Sequence, residues 1–209
     1  MQVFGNNVTG GGTTMRFDTQ THTSSTAAPL TRIDVDKLLR EVESSDTLDL
    51  SYRNLRGIDL SELDLIGANL NGATLIAANL SETNLSKASI VGANLCGANL
   101  VAANLSEANL FEADLIGANL IVANVSFSNL RKVNLSRAML LMANLAKADL
   151  IEANLSGAYL SRANLTGTKL DKAILSGTVL KEAIMHKMEQ AILWNRGIID
   201  LEKVRVITE

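Results

Sequence analysis

The sequence is poor in aromatic residues, cysteine and proline, and each shortage argues against a class of protein. Aromatic residues make up 3% of the chain although 47% is apolar, so aliphatic side chains must fill the core. The single cysteine, Cys96, cannot form an internal disulfide, which excludes a disulfide-stapled secreted scaffold and a cysteine-rich zinc module. The one proline argues against a proline-rich linker, and the net charge of -3 against a strongly basic nucleic-acid binder.

The chain also lacks the apolar runs of membrane and exported proteins. No run of about 18 apolar residues could span a bilayer, so no membrane association is expected. The N-terminal sequence MQVFGNNVTGGG has neither the basic start nor the apolar stretch of a signal peptide. The expected location is therefore the cytoplasm.

What the sequence does contain is a strict repeat of five residues. From Leu50 to Leu180 every fifth residue is leucine, apart from Ile90 and Val125. Alanine stands two residues before 18 of these 27 positions, and asparagine or aspartate stands one residue before 20 of them. The unit is A-[N/D]-L-x-x, as in GANLNGATLIAANL and EANLFEADLIGANL. Self-similarity at a fixed period indicates a repeat architecture.

A period of five fits neither a continuous helix nor a continuous strand. On a helix successive leucines would be rotated by about 140°, and on a strand an odd period would place them on opposite faces. A short extended piece followed by a corner keeps leucine and alanine inside, and four units of five residues close a coil of 20. Asparagine and aspartate suit the corners because their side chains bond nearby backbone amides.

The repeated unit resembles that of the pentapeptide repeat family over residues 48–182. The resemblance implies an all-β solenoid, a right-handed quadrilateral parallel β-helix, and stacking of the 27 units gives about seven coils. The family includes bacterial topoisomerase-protecting proteins and cyanobacterial regulators. A bacterial protein is therefore expected, and the resemblance is specific for the fold while leaving the function open.

The chain before the repeat predicts a tail and a cap. Residues 1–30, rich in glycine, threonine and serine, are predicted to form a flexible tail, and residues 31–47 a capping helix. This helix is predicted from about 34 to 44 with Asp34 at its N-cap. Its apolar side, expected to cover the open first coil, consists of Val35, Leu38, Leu39 and Val42.

The chain after the repeat, residues 183–209, predicts a second α-helical cap. The sequence KEAIMHKMEQAILWNRG predicts a helix from about 182 to 195 with Gly197 as its stop, and IIDLEKVRVITE predicts a possible strand. Solenoids need end caps, but some topoisomerase-protecting members of the family dimerise through their C-terminal ends, so a dimerisation element is the alternative. The candidate residues for either role are Met188, Ile192 and Trp194.

The sequence offers no constellation of catalytic groups. Its two histidines, His22 and His186, lie far apart along the chain, and Cys96 has no histidine near it and is interpreted as a surface thiol. No phosphate-binding loop, dinucleotide-binding motif or metal-ligand spacing occurs. We expect a protein that is not an enzyme and that has no catalytic residue, metal or cofactor.

Outward positions that are apolar in successive coils predict an interaction surface. Residues 20 apart stack vertically in such a coil, and on the side that follows Leu60 and Leu80 three successive coils carry only apolar outward residues. Contiguous exposed apolar patches usually mark interfaces, which predicts a protein partner of unknown identity or self-association. The six residues, called the apolar strip below, are Val101, Ala102, Ile121, Val122, Leu141 and Met142.

Two further outward apolar residues adjoin the apolar strip. Ile116 belongs to one neighbouring side of the coil and Phe127 to the other. A competing interpretation is that Phe4, Met15 and Phe17 of the N-terminal tail fold back and cover the strip.

The charge distribution gives an alternative function. Between Leu48 and Leu115 there are eight acidic and three basic residues, and between Ile116 and Met185 four acidic and eight basic. In the family, topoisomerase protection is attributed to a rod that imitates the negative charge of duplex DNA, so modulation of DNA gyrase is the alternative to a scaffold. Only one half of this rod is acidic, and direct nucleic-acid binding is not expected, because the basic half lacks interleaved aromatic residues.

Overall fold

The computed structural model describes residues 28–42, 47–187, 190, 191, 193 and 205–207. Three regular elements occur among them: helix α1, Arg32–Glu41, and strands β1, Ile184–His186, and β2, Arg205–Ile207. The intervening body contains turns joined by single-residue parallel bridges, each between residues 20 positions apart. The expected coil of 20 residues is confirmed. His22 and the tail residues Phe4, Met15 and Phe17 lie outside the described residues.

Each side of the coil pairs with the sides above and below it through the backbone. The Leu60 amide donates to the Asn79 carbonyl at 2.7 Å, and the Asn79 amide donates to the Ile58 carbonyl at 2.8 Å. The same two bonds recur along the body with a shift of five residues. Four parallel ladders therefore run the length of the coil stack, which is a quadrilateral parallel β-helix.

The corners are tight turns whose geometry asks for special residues. In one such turn the Ala68 amide donates to the Leu65 carbonyl at 3.1 Å, and Gly67 adopts a φ of 67°. A positive φ at the third residue is typical of a type II turn. The asparagine before a leucine supports the corner that follows. At the corner after Leu80, for example, Oδ1 of Asn79 accepts from the Ser81 amide at 3.3 Å. The predicted role of asparagine is confirmed.

Asparagine also forms side-chain ladders between coils. Nδ2 of Asn99 donates to Oδ1 of Asn79 at 3.0 Å, and Nδ2 of Asn124 donates to Oδ1 of Asn104 at 3.2 Å. The body is filled by the leucine positions and, between them, mostly alanine, nearly all completely buried. The alternation of one large and one small side chain fills an interior too narrow for aromatic rings.

Helix α1 differs from its predicted boundaries at both ends. Thr31, rather than Asp34, is the N-cap: Oγ1 of Thr31 accepts from the Asp34 amide, while Oδ2 of Asp34 accepts from the Thr31 amide at 2.8 Å. This reciprocal capping box begins the helix at Arg32 and makes Asp34 the third helical residue. The helix ends at Glu41 instead of near residue 44, and Val42 is already extended.

Helix α1 covers the first coil as predicted. Val35 is completely buried in the core, and Leu38, Leu39 and Val42 pack against this core. Nη1 of Arg32 donates to the carbonyls of Asp59 and Ser61, both at 3.2 Å. These contacts fix the helix on the end of the β-helix.

The predicted helix from about 182 to 195 is wrong at its start, because residues 184–186 form β1. Ile184 still bridges Asn164 one coil below, and Met185 occupies a buried leucine position, so the coil pairing overrides the local helical pattern. β2 lies within the predicted strand and pairs parallel to β1, with Ile184 opposite Arg205. Helical residues occur at 187, 190, 191 and 193, whereas Met188, Ile192, Trp194 and Gly197 lie outside the described residues.

Candidate protein-binding surface

The apolar strip lies on the corners of three successive coils. In the first two corners the first residue, Val101 or Ile121, is half-buried, and the second, Ala102 or Val122, is exposed. Leu141 is exposed as well, and Met142 is 53% exposed. All six residues of the apolar strip, which were predicted to point outward, are therefore accessible to solvent. Val101 and Ile121 are the least exposed of them.

Three apolar residues in the column next to the apolar strip were not predicted from the sequence. Met139, Tyr159 and Val179 are exposed, and Tyr159 is 54% exposed. They continue the column in which Asn119 bridges Met139, Met139 bridges Tyr159 and Tyr159 bridges Val179. The signal that identifies them is the asparagine position in steps of 20 residues, where apolar side chains replace the amides at 139, 159 and 179.

The column of Met139 and Tyr159 and the neighbouring column of Ile121 and Leu141 enclose an apolar groove of about 270 Å³. Met139 and Tyr159 form one side, and Ile121 and Leu141 form the other. Ser161 contributes the polar end. The groove shows that Met139 and Tyr159 form one continuous surface with the centre of the apolar strip.

The strip carries backbone strain at its centre. The second corner residue has a positive φ throughout the body, and Val122 has a φ of 53°. Among the non-glycine residues in this conformation, Val122 is the β-branched one. A β-branched residue is poorly suited to the left-handed region, which glycine adopts without steric cost. An apolar side chain therefore stands where the fold favours glycine.

The two predicted neighbours of the apolar strip do not line the groove. Phe127 is exposed, and the Nζ atom of Lys147 lies 5.2 Å from the centre of its ring. Ile116 is exposed on the opposite neighbouring side, next to the half-buried Cys96. Burial, followed by the hydrogen bond with Asp114, raises the pKa of the Cys96 thiol. The thiol is therefore held in its unreactive protonated form.

Charges of opposite sign stand at the two ends of the apolar strip. Glu62 and Glu82, two coils in succession, are exposed on the side nearer the N-terminal cap. Arg162, on the other side, is exposed, and its Nε donates to Oε2 of Glu182 at 2.7 Å. Lys181 is exposed beside this pair. The surface is thus acidic at one end, apolar in the middle and basic at the other.

No group of three metal-ligating side chains occurs among the described residues. In the same part of the chain, none of the helices has the length and apolar character needed to cross a membrane.

The sequence profile of pentapeptide repeats matches the chain in eight copies, over residues 54–90, 88–126, 128–167 and 158–195. The chain belongs to the pentapeptide repeat family. The family assignment agrees with the quadrilateral parallel β-helix described above, and the predicted fold class is confirmed. No enzyme family is indicated by these matches.

Solved structures of other pentapeptide repeat proteins are similar to this chain. HetL, involved in heterocyst differentiation regulation in the cyanobacterium Nostoc sp. strain PCC 7120, is 40% identical; the match covers 66% of this chain and 72% of HetL, with a TM-score of 0.35. A pentapeptide repeat protein of the cyanobacterium Cyanothece 51142 is 30% identical over 57% of this chain and 88% of its own, with a TM-score of 0.30.

QnrB1, a plasmid-mediated fluoroquinolone resistance protein, is the more distant relative in sequence. In its trypsin-treated form it is 21% identical, and the match covers 78% of this chain and 86% of QnrB1, with a TM-score of 0.53. This likeness concerns the fold alone. No curated protein matches the chain.

Proposed function

We propose that this pentapeptide repeat protein is a non-catalytic interaction scaffold or regulatory adaptor that presents the apolar strip and the groove to another protein chain. The observation that carries the proposal is the continuity of the surface. Ile121 and Leu141 of the apolar strip and the ladder residues Met139 and Tyr159 line the same groove. Exposed apolar patches of this kind, bordered by charges, are typical of protein interfaces.

The β-helix suits this role because it holds the surface rigidly. Backbone ladders on all four sides fix each corner, and among the described residues no buried side-chain nitrogen or oxygen lacks a hydrogen-bond partner. A surface that is already ordered loses little conformational entropy on binding.

The test is the double substitution Ile121→Glu with Leu141→Glu. We expect the variant to fold, because Arg131 and Asp171 occupy the same corner position on another side of the coil. Charged side chains in the groove would have to be buried by a partner, so proteins recovered with the wild type from the native organism should be lost.

A matched control is Ile66→Glu with Ile174→Glu, which places the same charges at two exposed isoleucines away from the groove. The control should retain the partners of the wild type. Equal recovery with both double variants, at unchanged melting temperatures, would contradict the proposed role of the surface.

Modulation of DNA gyrase by DNA mimicry is the second candidate function. It is favoured by the exposed carboxylates Asp49, Asp59 and Asp64 of the first coils. It is disfavoured by Arg131 and Lys147 farther along the body, because a DNA-like surface must be acidic along its length. A gyrase supercoiling assay with and without a quinolone separates the two. Inhibition or protection at low micromolar protein would favour the second function.

A further inference from the structure

We propose that the occupant of the apolar strip is a second copy of the same chain, packed side by side and antiparallel about a twofold axis that crosses the strip at Ile121. This inference rests on the proposed function, because it uses the same surface. It adds the identity of the partner, the direction in which it runs and the register in which it packs.

The outermost corner column carries the first argument. In steps of 20 residues this column reads Glu62, Glu82, Ala102, Val122, Met142, Arg162, Glu182. The twofold axis runs across the strip at the level of Ile121 and its neighbour Val122. An antiparallel second copy about this axis brings Glu82 against the partner's Arg162 and, through the same symmetry, Arg162 against the partner's Glu82. Opposite charges therefore meet at Glu82 and Arg162 on both sides of the apolar strip, as suits an isologous interface. One coil farther out Glu62 lies opposite the partner's Glu182, a carboxylate that is already bonded to Arg162 of its own chain.

The same register also matches side-chain size. Ala102, the smallest residue of the apolar strip, meets the partner's Met142, the longest one. In the column beside it, Val101 meets the partner's Leu141, and Ile121 meets its own copy. In the column of Met139 and Tyr159, these two side chains face the asparagines of the partner. The longest side chains, Met142, Met139 and Tyr159, thus lie opposite small or polar ones, while branched aliphatic residues meet one another at the centre, which permits close packing.

Other arrangements of two copies are worse. A parallel pair would place Glu82 against the partner's Glu82 and Arg162 against the partner's Arg162, and like charges across an interface are unfavourable. An antiparallel pair shifted by one coil in one direction sets Glu82 against the partner's Glu182. Shifted in the other direction, it pairs Glu62 with the partner's Arg162 but sets the charge of Glu82 against the partner's apolar Met142. The register centred on Ile121 is favoured because it pairs Glu82 with Arg162 and keeps Ala102, Val122 and Met142 opposite apolar residues.

Arg162 can serve this contact while keeping its bond within the chain. Its Nε donates to Glu182, but a guanidinium has five N–H donors arranged as a fork. The bond to Glu182 orients the group, and the terminal nitrogens suit a carboxylate from outside. The two charged ends stand four coil steps apart, about 19 Å, with the apolar strip between them.

The first experiment is sedimentation analysis of the full chain and its charge variants. The wild type should form a dimer, and Glu82→Arg or Arg162→Glu should each weaken the dimer about tenfold, because each substitution acts twice across the axis. The combined variant Glu82→Arg with Arg162→Glu should restore the dimer. Glu107→Arg, an exposed corner glutamate on another side of the coil, should have no effect.

The second experiment tests the register by disulfide cross-linking in a Cys96→Ser background. Val122→Cys lies at the axis and should cross-link to its own copy. Ala102→Cys and Met142→Cys should cross-link when the two variants are mixed, and neither should do so alone. Trp194→Ala, which addresses the C-terminal alternative, should leave the dimer intact.

The outcomes separate this inference from the proposed function. A wild type that stays monomeric at all concentrations, or that dimerises without cross-linking through Val122→Cys, would overturn the antiparallel pair and leave the surface to a different protein. A dimer that survives Ile121→Glu with Leu141→Glu would overturn the antiparallel pair alone, whereas unchanged recovery of other proteins with that variant would overturn the proposed function.

Discussion

At the scale of single residues, the fold makes a distinct demand on four of the five positions of the repeat. Leucine and alanine fill the interior, asparagine bonds the next corner, and the last residue must adopt a positive φ. Nine glycines satisfy the last demand, as at Gly97 and Gly117. Val122 adopts the positive φ only at the steric cost of a β-branched side chain, so the residue at the centre of the apolar strip is there for a reason other than the turn.

Val122→Gly is predicted to stabilise the protein by about 1 kcal/mol, because glycine adopts the left-handed conformation without the steric cost of a β-branched side chain. Urea denaturation of the purified protein measures the change. Met142→Gly, at the same corner one coil above, is the control and should gain less, because methionine is not branched at Cβ. A loss of stability in Val122→Gly would show that the valine side chain is needed for folding.

At the scale of elements, the side ladders and the capping helix have separable roles. A side-chain ladder joins Asp59, Asn79 and Asn99 on one side of the coil, and farther along the same column Met139 and Tyr159 take the place of amide side chains. Helix α1 covers the first coil through Val35 and begins at the capping box of Thr31 and Asp34. One substitution experiment addresses each of these features.

Met139→Asn with Tyr159→Asn is predicted to remove the groove while keeping the fold. The new asparagines would stack above Asn119 and could bond to one another as Asn99 bonds to Asn79, so the free energy of unfolding should stay constant or rise by about 1 kcal/mol for each hydrogen bond gained. Partner binding should be lost at the same time. A destabilisation of several kcal/mol in a urea melt would mean that the two apolar side chains have a structural role instead.

Thr31→Val is predicted to destabilise the capped end by about 1 kcal/mol, because the N-cap hydroxyl is lost. The Thr31 side chain, followed by its amide, holds the pKa of Asp34 below its usual range. A carboxyl with a depressed pKa contributes stability above its unfolded-state pKa and loses that contribution as the pH falls through its folded-state pKa.

The difference between wild type and Thr31→Val should therefore be complete at about pH 7 and shrink as the pH falls below about 4, the ordinary pKa of an unfolded aspartate, toward the lower pKa of folded Asp34. Urea melts at the two pH values measure it. Thr47→Val, an exposed threonine outside any helix, is the control. A difference that stays the same in acid would argue against the reciprocal Thr31 and Asp34 bonds.

At the scale of the whole molecule, the body of the fold was predictable because the leucine at every fifth position marks the side of the chain that faces the interior of the coil. The cap boundaries were harder to predict, since Thr31 and Asp34 are both good N-cap residues and the structure uses both in one capping box. β1 could not be predicted from local propensity, because its pairing with Asn164 and with β2 decides its conformation. The apolar strip could be predicted because residues 20 apart in sequence stack on one another.

The groove was only half predicted for a related reason. Met139 and Tyr159 occupy a position where the repeat expects asparagine, and their meaning depends on stacking beside Ile121 and Leu141. Their substitution looks like a decay of the repeat when it is read along the chain. It becomes a surface once residues 20 apart are placed on top of one another.

The central claim is that the groove is the part of this molecule that touches another protein. Its most direct test is a photo-crosslinking amino acid placed at position 141 and, as the control, at the exposed position 66, followed by illumination in the native organism. The account predicts covalent protein adducts from position 141, with a second copy or with another protein, and none from position 66. Equal adduct yields from the two positions, or none from position 141, would contradict it.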